Sequence, residues 1–275
     1  MHEGTALFIA MTLRLTYIFV FTCLIFSCSK PKEEKQSTPE KTDELIYTIQ
    51  RSFPHDTQAF TQGLEIHEGK LYESTGQNNS WIGIVDINTG IAEKKVILPA
   101  AYFGEGITIM NNKVYQLTWQ SKIGFVYDLT TFKKLKDFSY DTEGWGLTHD
   151  STYLIMSDGT DKIRLLDTVS LKPVKTIAVT YQGKPLRDLN ELEYIHGHLY
   201  ANIWQTNRIA KIDLSNGEVV GLMDLSELVS QARMVNPSID VLNGIAWHAG
   251  TKSMLVTGKY WPFIYSIKFK ESDSL

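Results

Sequence analysis

A lone carboxylate, Glu105, lies between two glycines in the stretch AYFGEGITIMNNKVYQLTW. Phe103 precedes it, an apolar strand follows it, and a second apolar strand leads to Trp119. Glycines on both sides allow backbone or a ligand to approach closely, and the aromatic residues would keep water away. A glutamate in these surroundings is either a turn residue facing solvent or a proton-transfer group with an adjusted pKa. The elements around Glu105 decide between these two interpretations.

The pattern around Glu105 recurs five times along the chain. Each repeat has a polar or aromatic residue near its start and continues with an apolar strand, a short turn and a second apolar strand. The repeats are FTQGLEIHEGKLYEST, FGEGITIMNNKVYQLT, EGWGLTHDSTYLIMSD, LNELEYIHGHLYANIW and LNGIAWHAGTKSMLVTGK. Four short strands in a unit of about 40 residues are typical of a β-propeller blade. The sequence therefore predicts an all-β fold, a five-bladed β-propeller over residues 45–270.

The fifth repeat stops after its third strand, near Phe269. An open sheet edge would expose unpaired backbone groups. The strand-like segment LIYTIQRSF, residues 45–53, is predicted to supply the missing outer strand and close the ring. Four aspartates at the ends of third strands are predicted to be turn residues that cap their own backbone: Asp86, Asp128, Asp167 and Asp213.

Aligning the repeats gives two columns of candidate functional residues. The first strands begin with Gln62, Glu105, Trp145, Asn190 and Asn243, spaced 40 to 53 residues apart. The second strands end with Gly76, Trp119, Asp158, Trp204 and Lys259. Innermost strands line the central channel of a propeller and second strands run back to the same face, so both columns should surround one end of the channel.

Polar groups at a channel mouth often bond only to trapped water. A structural repeat, however, should repeat its structural residues, and these columns vary where the flanking strands do not. Variation at equivalent positions is expected of one asymmetric site on a symmetric scaffold. The columns therefore predict a functional pocket that contains Glu105.

The two ends of the chain are predicted to lie outside the propeller. Residues 1–28 are predicted to be a signal peptide, because an apolar core that is too short to span a membrane comfortably ends at Ser27-Cys28, which is similar to a bacterial lipobox. Residues 29–44 are charged and rich in Pro, Ser and Thr, which predicts a flexible tether. Residues 271–275 form a tail.

We expect an exported, periplasmic or cell-envelope lipoprotein that meets the membrane only through a lipid on Cys28. The alternative is a plain secretory signal.

Composition excludes several classes of function. The formal net charge of −4 gives no basic field for nucleic acid. Both cysteines, Cys23 and Cys28, lie in the leader, so the mature domain has no disulfide. Six histidines between His55 and His248 lie in turns or strand ends without metal-ligand spacing and are predicted to be exposed. We therefore expect no metal and no cofactor.

Several motifs together indicate a family. FTQGL at 60–64, FGEGI at 103–107, EGWGL at 143–147, LNELEY at 189–194, NIW at 202–204 and LNGIAW at 242–247 resemble the plant-type glutaminyl-peptide cyclotransferases, which also occur in bacteria. The resemblance covers residues 45 to 270. It implies a five-bladed propeller that converts the N-terminal glutamine of peptides or proteins to pyroglutamate and releases ammonia, unrelated to the zinc-dependent animal-type cyclase.

The resemblance also implies roles for individual residues. Glu105 matches the family's catalytic acid, which we expect to shuttle the proton from the attacking amine to the leaving ammonia. The matching substrate-binding residues are Phe60, Gln62, Phe103, Trp119, Trp145, Asn190, Trp204 and Lys259. Asn243 and Asp158 are further candidates from the two columns. We expect a monomer whose partners are peptides or proteins with an N-terminal glutamine.

Two other functions remain open from the sequence. A propeller glycoside hydrolase would need two carboxylates on either side of a bond, and Asp158 could be the partner of Glu105. A non-catalytic lipoprotein that binds a ligand would keep the aromatic pocket but tolerate the loss of Glu105.

Overall fold

The computed structural model describes residues 42–77 and 79–270. The predicted signal peptide, Cys28, most of the tether and the 271–275 tail lie outside the described residues. In the described part, five antiparallel sheets form the blades of a β-propeller. The predicted fold class is confirmed.

The strands follow one another in blade order. Before blade one come β1 (Asp43–Glu44) and β2 (Tyr47–Pro54). Blade one contains β3 (Thr61–His67), β4 (Lys70–Thr75), β5 (Trp81–Asp86) and β6 (Ile91–Ile97), and blade two contains β7 (Gly104–Met110), β8 (Lys113–Thr118), β9 (Ile123–Asp128) and β10 (Lys134–Ser139). Blade three contains β11 (Leu147–His149), β12 (Tyr153–Ser157), β13 (Lys162–Asp167) and β14 (Pro173–Ala178).

A small hairpin of β15 (Thr180–Tyr181) and β16 (Lys184–Pro185) leads to blade four, which contains β17 (Leu189–Ile195), β18 (His198–Ile203), β19 (Arg208–Asp213) and β20 (Val219–Asp224). The helix α1 (Ser226–Val235) follows, and blade five contains β21 (Leu242–His248), β22 (Ser253–Gly258) and β23 (Phe263–Phe269). Among the described residues, no helix is long and apolar enough to cross a membrane.

The outer strand of blade five comes from the beginning of the propeller. β2 pairs antiparallel with β23, with Tyr47 opposite Phe269 and Pro54 opposite Phe263. This pairing gives the last blade its fourth strand and protects the edge of β23. The predicted closure by residues 45–53 is therefore confirmed.

The propeller begins slightly earlier than composition predicted. Asp43 and Glu44, which we assigned to the tether, pair in parallel with Gly221 and Leu222 of β20. Leu45 follows them and is buried in the core between blades four and five. The charged composition of residues 43 and 44 did not predict this strand, because the backbone makes the pairing with β20.

The four third-strand aspartates are turn residues, as predicted. Each Oδ1 atom accepts a hydrogen bond from a backbone N–H two or three residues later, at 2.7 to 2.9 Å, which caps the hairpin to the fourth strand. The apolar core lies between neighbouring blades: the side chains of Tyr72 and Ile82 from blade one, for example, cluster with Ile107 and Phe125 from blade two. Rigid blades joined in this way position the residues at the channel mouth.

One histidine contradicts the prediction of exposed histidines. His55 is buried beside blades one and five, where its Nε2 atom lies 3.1 Å from Oε1 of Glu73 and its Nδ1 atom lies 2.9 Å from the carbonyl oxygen of Trp261. These two partners satisfy the ring without water. Of the other five histidines that the structure describes, His196 is exposed as predicted and four are partly buried.

Candidate active site

The first column of candidate residues coincides with irregularities in the inner strands. In four blades the pairing between the first and second strand shifts register at the column position, which places a β-bulge at Gln62, Glu105, Asn190 and Asn243. A bulge bends the strand and redirects a side chain out of the regular alternation. In blade three the inner strand starts only at Leu147, and Trp145 precedes it. The column residues are therefore placed by local breaks in a regular scaffold.

The glycine after Glu105 permits close contact between blades two and three. Gly106 donates its N–H to the carbonyl oxygen of Trp145 at 2.7 Å. A Cβ atom on Gly106 would lie 2.6 Å from that oxygen and 2.5 Å from the nitrogen of Leu147. Any larger residue would push the strands apart. The Gly-Glu-Gly motif thus fixes Glu105 against the neighbouring blade.

A cavity of about 210 Å³ opens at the end of the channel where the two columns meet. Its lining consists of Phe60, Gln62, Gln77, Phe103, Glu105, Trp119, Trp145, Asn190, Trp204 and Lys259. The catalytic candidate and all eight substrate-binding candidates therefore lie around one space. A larger cavity of about 340 Å³ lies beside β2 and β23 and contains none of these residues.

Two aromatic arms form the walls of the site. In one arm, Phe103 contacts Phe60 edge-to-face with ring centroids 6.0 Å apart and Trp119 with centroids 5.6 Å apart. In the other arm, Trp145 and Trp204 meet edge-to-face at 5.5 Å. Aromatic rings of this kind exclude water and enclose methylene groups at low entropic cost. The site suits a short, largely apolar chain with a polar end.

Glu105 is buried to 3% exposure at the base of these walls. Burial raises the pKa of its carboxyl group well above the ordinary value, and the negative charge of Glu143 adds to this effect. The Lys259 ammonium and a hydrogen bond from Gln62 act in the opposite direction without cancelling it. Glu105 is therefore a buried carboxyl group with a raised pKa and not a turn residue facing solvent.

Lys259 and Gln62 flank Glu105 and are themselves held in place. The Nζ atom of Lys259 lies 4.5 Å from the centroid of the Phe60 ring, and burial lowers its pKa although Glu105 opposes this effect. The side-chain oxygen of Gln62 accepts a hydrogen bond from Nδ2 of Asn243 at 3.1 Å. That bond leaves the amide nitrogen of Gln62 to face Glu105.

The two additional candidates have other roles. Asn243 lies behind Gln62 and does not line the cavity; it orients Gln62 and also bonds to the carbonyl oxygen of Thr61. Asp158 also lies outside the lining, because its carboxylate pairs with Arg164 and caps its own turn through Thr160. In this structure Asp158 therefore has structural partners and does not line the cavity, and its role in the site stays a prediction.

The sequence analysis missed two residues at the site. Gln77 lines the cavity from the connection after β4. Glu143 accepts hydrogen bonds from the indole nitrogens of Trp119, at 2.7 Å, and Trp145, at 2.9 Å. Neither residue belongs to the two columns defined from the sequence, although Glu143, at the head of EGWGL, takes the position of Phe60 and Phe103 in the first two repeats.

Deeper in the channel lies a second group of carboxylates. Glu191 accepts the N–H groups of Leu64 and Ile245, and Glu193 accepts that of Trp247. Glu65 accepts a hydrogen bond from the hydroxyl of Thr108 at 2.8 Å. Each bond joins inner strands of different blades. In the described part of the chain, no group of three or more His, Cys, Asp or Glu side chains is arranged to hold a metal ion.

Comparison with known proteins identifies the family of this chain. The family model described as glutamine cyclotransferase matches residues 19–269. A glutaminyl-peptide cyclotransferase of Arabidopsis thaliana is 36% identical over 274 residues, which cover 98% of this chain and 85% of the relative. The crystal structure of Myxococcus xanthus glutaminyl cyclase superimposes with a TM-score of 0.79 and 32% identity, covering 85% of this chain and all of that one.

The family match covers all five blades, the plant relative covers nearly the whole chain, and the bacterial structure has the same fold. We conclude that the chain is an enzyme of the acyltransferase class and belongs to the glutamine cyclotransferase family.

Proposed function

We propose that Glu105 transfers the proton in the cyclisation of an N-terminal glutamine to pyroglutamate. The observation that carries the proposal is a buried carboxylate with a raised pKa inside a small aromatic cavity. The α-amine of a peptide has a pKa of about 8, so a carboxylate with its ordinary pKa near 4 would be a poor base for it. A raised pKa brings Glu105 closer to the amine and makes proton exchange efficient.

The reaction balances with one proton-transfer group. The neutral α-amine attacks the side-chain amide carbon, and a C–N bond closes a five-membered ring. Glu105 takes a proton from the attacking nitrogen and passes it to the amide nitrogen. The old C–N bond then breaks and ammonia leaves. Attack and departure occur at the same carbon, so one carboxylate can serve both steps.

The remaining side chains bind and fold the substrate. The indoles of Trp145 and Trp204 and the Phe103–Trp119 arm enclose the two methylene groups, which holds the amine near the amide carbon. The amide nitrogen of Gln62 and the ammonium of Lys259 can donate to the developing oxyanion. Oδ1 of Asn190 is buried and has no hydrogen-bond partner among the described residues, so it can accept an N–H of the substrate.

The geometry disfavours a glycoside hydrolase. Within the lining that the structure describes, Glu105 is the one carboxylate. Glycoside hydrolysis usually needs a second carboxylate across the bond, and Asp158 is committed to Arg164. The experiment is to incubate the chain with a dipeptide that begins with glutamine and to measure ammonia between about pH 6 and 9, around the pKa of the α-amine. Release of ammonia with formation of pyroglutamate supports the proposal, and no release at any of these pH values refutes it.

Metal-independent catalysis is part of the same proposal. The mechanism uses proton transfer and hydrogen bonds alone, so prolonged dialysis against a chelator should leave kcat unchanged. The measurement is steady-state ammonia release before and after dialysis. Loss of activity that zinc restores would show that catalysis requires a metal and would refute this part of the proposal.

We also propose that the chain is exported and anchored to the membrane by a lipid on Cys28, with the propeller acting as a monomer. The support is the apolar core of residues 13–26 followed by Ser27-Cys28 and a charged tether. Replacing Cys28 by alanine should move the protein from the membrane fraction to the soluble fraction of a bacterial host, and sedimentation of that soluble form should give the mass of one chain. Equal distribution of both proteins would refute the anchor.

A further inference from the structure

The two aromatic arms of the pocket meet at one side chain. The ring contacts run from Phe60 through Phe103 to Trp119 on one side, and from Trp204 to Trp145 on the other. Glu143 lies between the arms. Its Oε2 atom accepts the indole N–H of Trp119 at 2.7 Å and that of Trp145 at 2.9 Å. We call Glu143 with these two indoles the indole clasp.

Glu143 carries a negative charge in this position. Burial raises the pKa of its carboxyl group, but hydrogen bonds from Trp145, Trp119 and Gln120 outweigh burial and hold that pKa below its ordinary value. Hydrogen bonds to an ionised acceptor are stronger than those between neutral groups. One charged oxygen therefore fixes two rings at once.

Trp119 needs such a support more than its neighbours do. It remains 36% exposed, follows the end of β8, and touches the rest of its arm through Phe103 alone among the described ring contacts. A ring with this much exposure has other rotamers available. Fixing it before the substrate arrives removes an entropic cost that binding would otherwise bear.

We propose that Glu143 is a positioning residue, whose carboxylate joins the two aromatic arms into one wall that holds the substrate's glutamine side chain. The kinetic effect of this role on KM depends on the proposed function. The hydrogen bonds themselves can be tested without substrate.

Two substitutions separate the acceptor from its charge. Glu143→Ala removes both, so KM should rise about tenfold with a smaller change in kcat, since the walls bind the substrate and do not transfer the proton. Glu143→Gln keeps an oxygen that can accept hydrogen bonds from the two indole N–H groups, so its KM should rise less than that of Glu143→Ala.

Glu143→Gln should also shift the pH profile. Among the residues that the structure describes, Glu143, Lys259 and Tyr140 are the titratable groups that interact with Glu105. Because the charge of Glu143 raises the pKa of Glu105, its removal should move the acidic limb of the kcat profile to lower pH. A purely structural role would leave this limb in place.

Two matched controls distinguish the clasp from a general change of charge. Asp141→Asn removes one negative charge from an exposed residue of the same connection and should change neither KM nor the profile. Trp119→Phe keeps a ring but removes one N–H donor. Combined with Glu143→Ala, it should add less to KM than it does alone, because the shared interaction is already lost.

The direct test is the set of indole N–H resonances of the six tryptophans in ¹H–¹⁵N spectra without substrate. Two of them, assigned through Trp119→Phe and Trp145→Phe, should shift in Glu143→Ala and stay in Asp141→Asn. Unmoved resonances, or shifted resonances with unchanged KM, would overturn the clasp. Shifted resonances in a chain that releases no ammonia would support the hydrogen bonds of the clasp and refute the proposed function instead. If Glu143→Ala fails to fold, Glu143→Gln replaces it, and an unmoved pH profile with unmoved resonances then counts against the proposal.

Discussion

Glu105 and Glu191 are both buried carboxylates of inner strands, yet they belong to different regions of the channel. Glu191 directs its two oxygens to backbone N–H groups, at 3.2 Å from Leu64 and 2.7 Å from Ile245, which belong to blades one and five. Glu105 faces a cavity of about 210 Å³ and meets mainly side chains, Gln62 and Lys259. Burial raises the pKa of both carboxyl groups well above the ordinary value.

A raised pKa alone therefore does not identify a catalytic group in this molecule. The partners do. A carboxylate that satisfies backbone donors from two blades joins the blades, and a ligand could reach it only by breaking the ring. A carboxylate held by side chains around open space is accessible to a substrate. In the proposed function, the mouth of the channel performs the chemistry, whereas the carboxylates of its interior join the blades.

The largest effect should come from Glu105→Gln. Glutamine keeps the size and polarity of the side chain but can neither take the amine proton nor deliver it, so kcat should fall by about 10² to 10⁴. KM should change much less, because the indoles and amides remain. The measurement is steady-state ammonia release from a Gln-dipeptide after confirming an unchanged melting temperature. A folded variant that keeps more than about a tenth of kcat would remove Glu105 from the mechanism.

Glu191→Ala should have the opposite effect to Glu105→Gln: it should lower stability and leave kcat nearly unchanged. It leaves the buried N–H groups of Leu64 and Ile245 without an acceptor, and each such loss costs about 1–3 kcal/mol of unfolding free energy. Denaturant melts should therefore show a loss of about 2–6 kcal/mol, while the kcat of the folded fraction stays near the wild-type value. A stable variant with a large loss of kcat would contradict the division between mouth and interior.

The interior carboxylates should also make stability depend on pH. Loss of solvent raises the pKa of Glu193 to about 8. Because the folded pKa exceeds the unfolded one, the stabilising contribution of the protonated group is complete below about pH 4 and is lost as the pH rises towards 8. Glu193→Gln should thus gain unfolding free energy relative to the wild type between pH 5 and 9. Denaturant melts across this range give the difference, and a constant difference would contradict the assignment.

Lys259→Met should lower kcat because it removes a donor to the developing oxyanion; its effect on the pH profile should be the smallest of the effects described here. The ammonium lowers the pKa of Glu105, so its removal should raise that pKa and move the acidic limb of the kcat profile to higher pH. This shift is opposite to the one expected for Glu143→Gln. Profiles of the two variants that move in the same direction would show that electrostatics around Glu105 do not control the limb.

Repetition made most of the fold and site predictable. Five similar segments gave the blades, and divergence at aligned positions gave both columns that surround the cavity. The bulges at Gln62, Glu105, Asn190 and Asn243 explain why these positions diverge, because they are where the regular alternation of the strands breaks.

The missed residues lie outside the two columns. Gln77 belongs to a connection after β4, and Glu143 stands at the position that Phe60 and Phe103 take in the first two repeats. Asp158 occupies a column position, but its carboxylate accepts a hydrogen bond within its own turn and pairs with Arg164. His55, which follows β2, pairs with Glu73 of β4, and no local pattern in the sequence predicts that contact. Long-range pairings of single side chains leave no periodic signal in a sequence.

The strand that closes blade five has a consequence for biogenesis. Thr48 and Lys268 meet across this pairing although 220 residues separate them. As the chain emerges from its N-terminus, β2 is the first long strand to appear, and its partner β23 is the last strand among the described residues. Blades one to four can assemble while the chain grows, whereas the ring stays open until the final strand arrives. Through that interval β2 presents an unpaired edge, and a chaperone that binds extended segments would find it there.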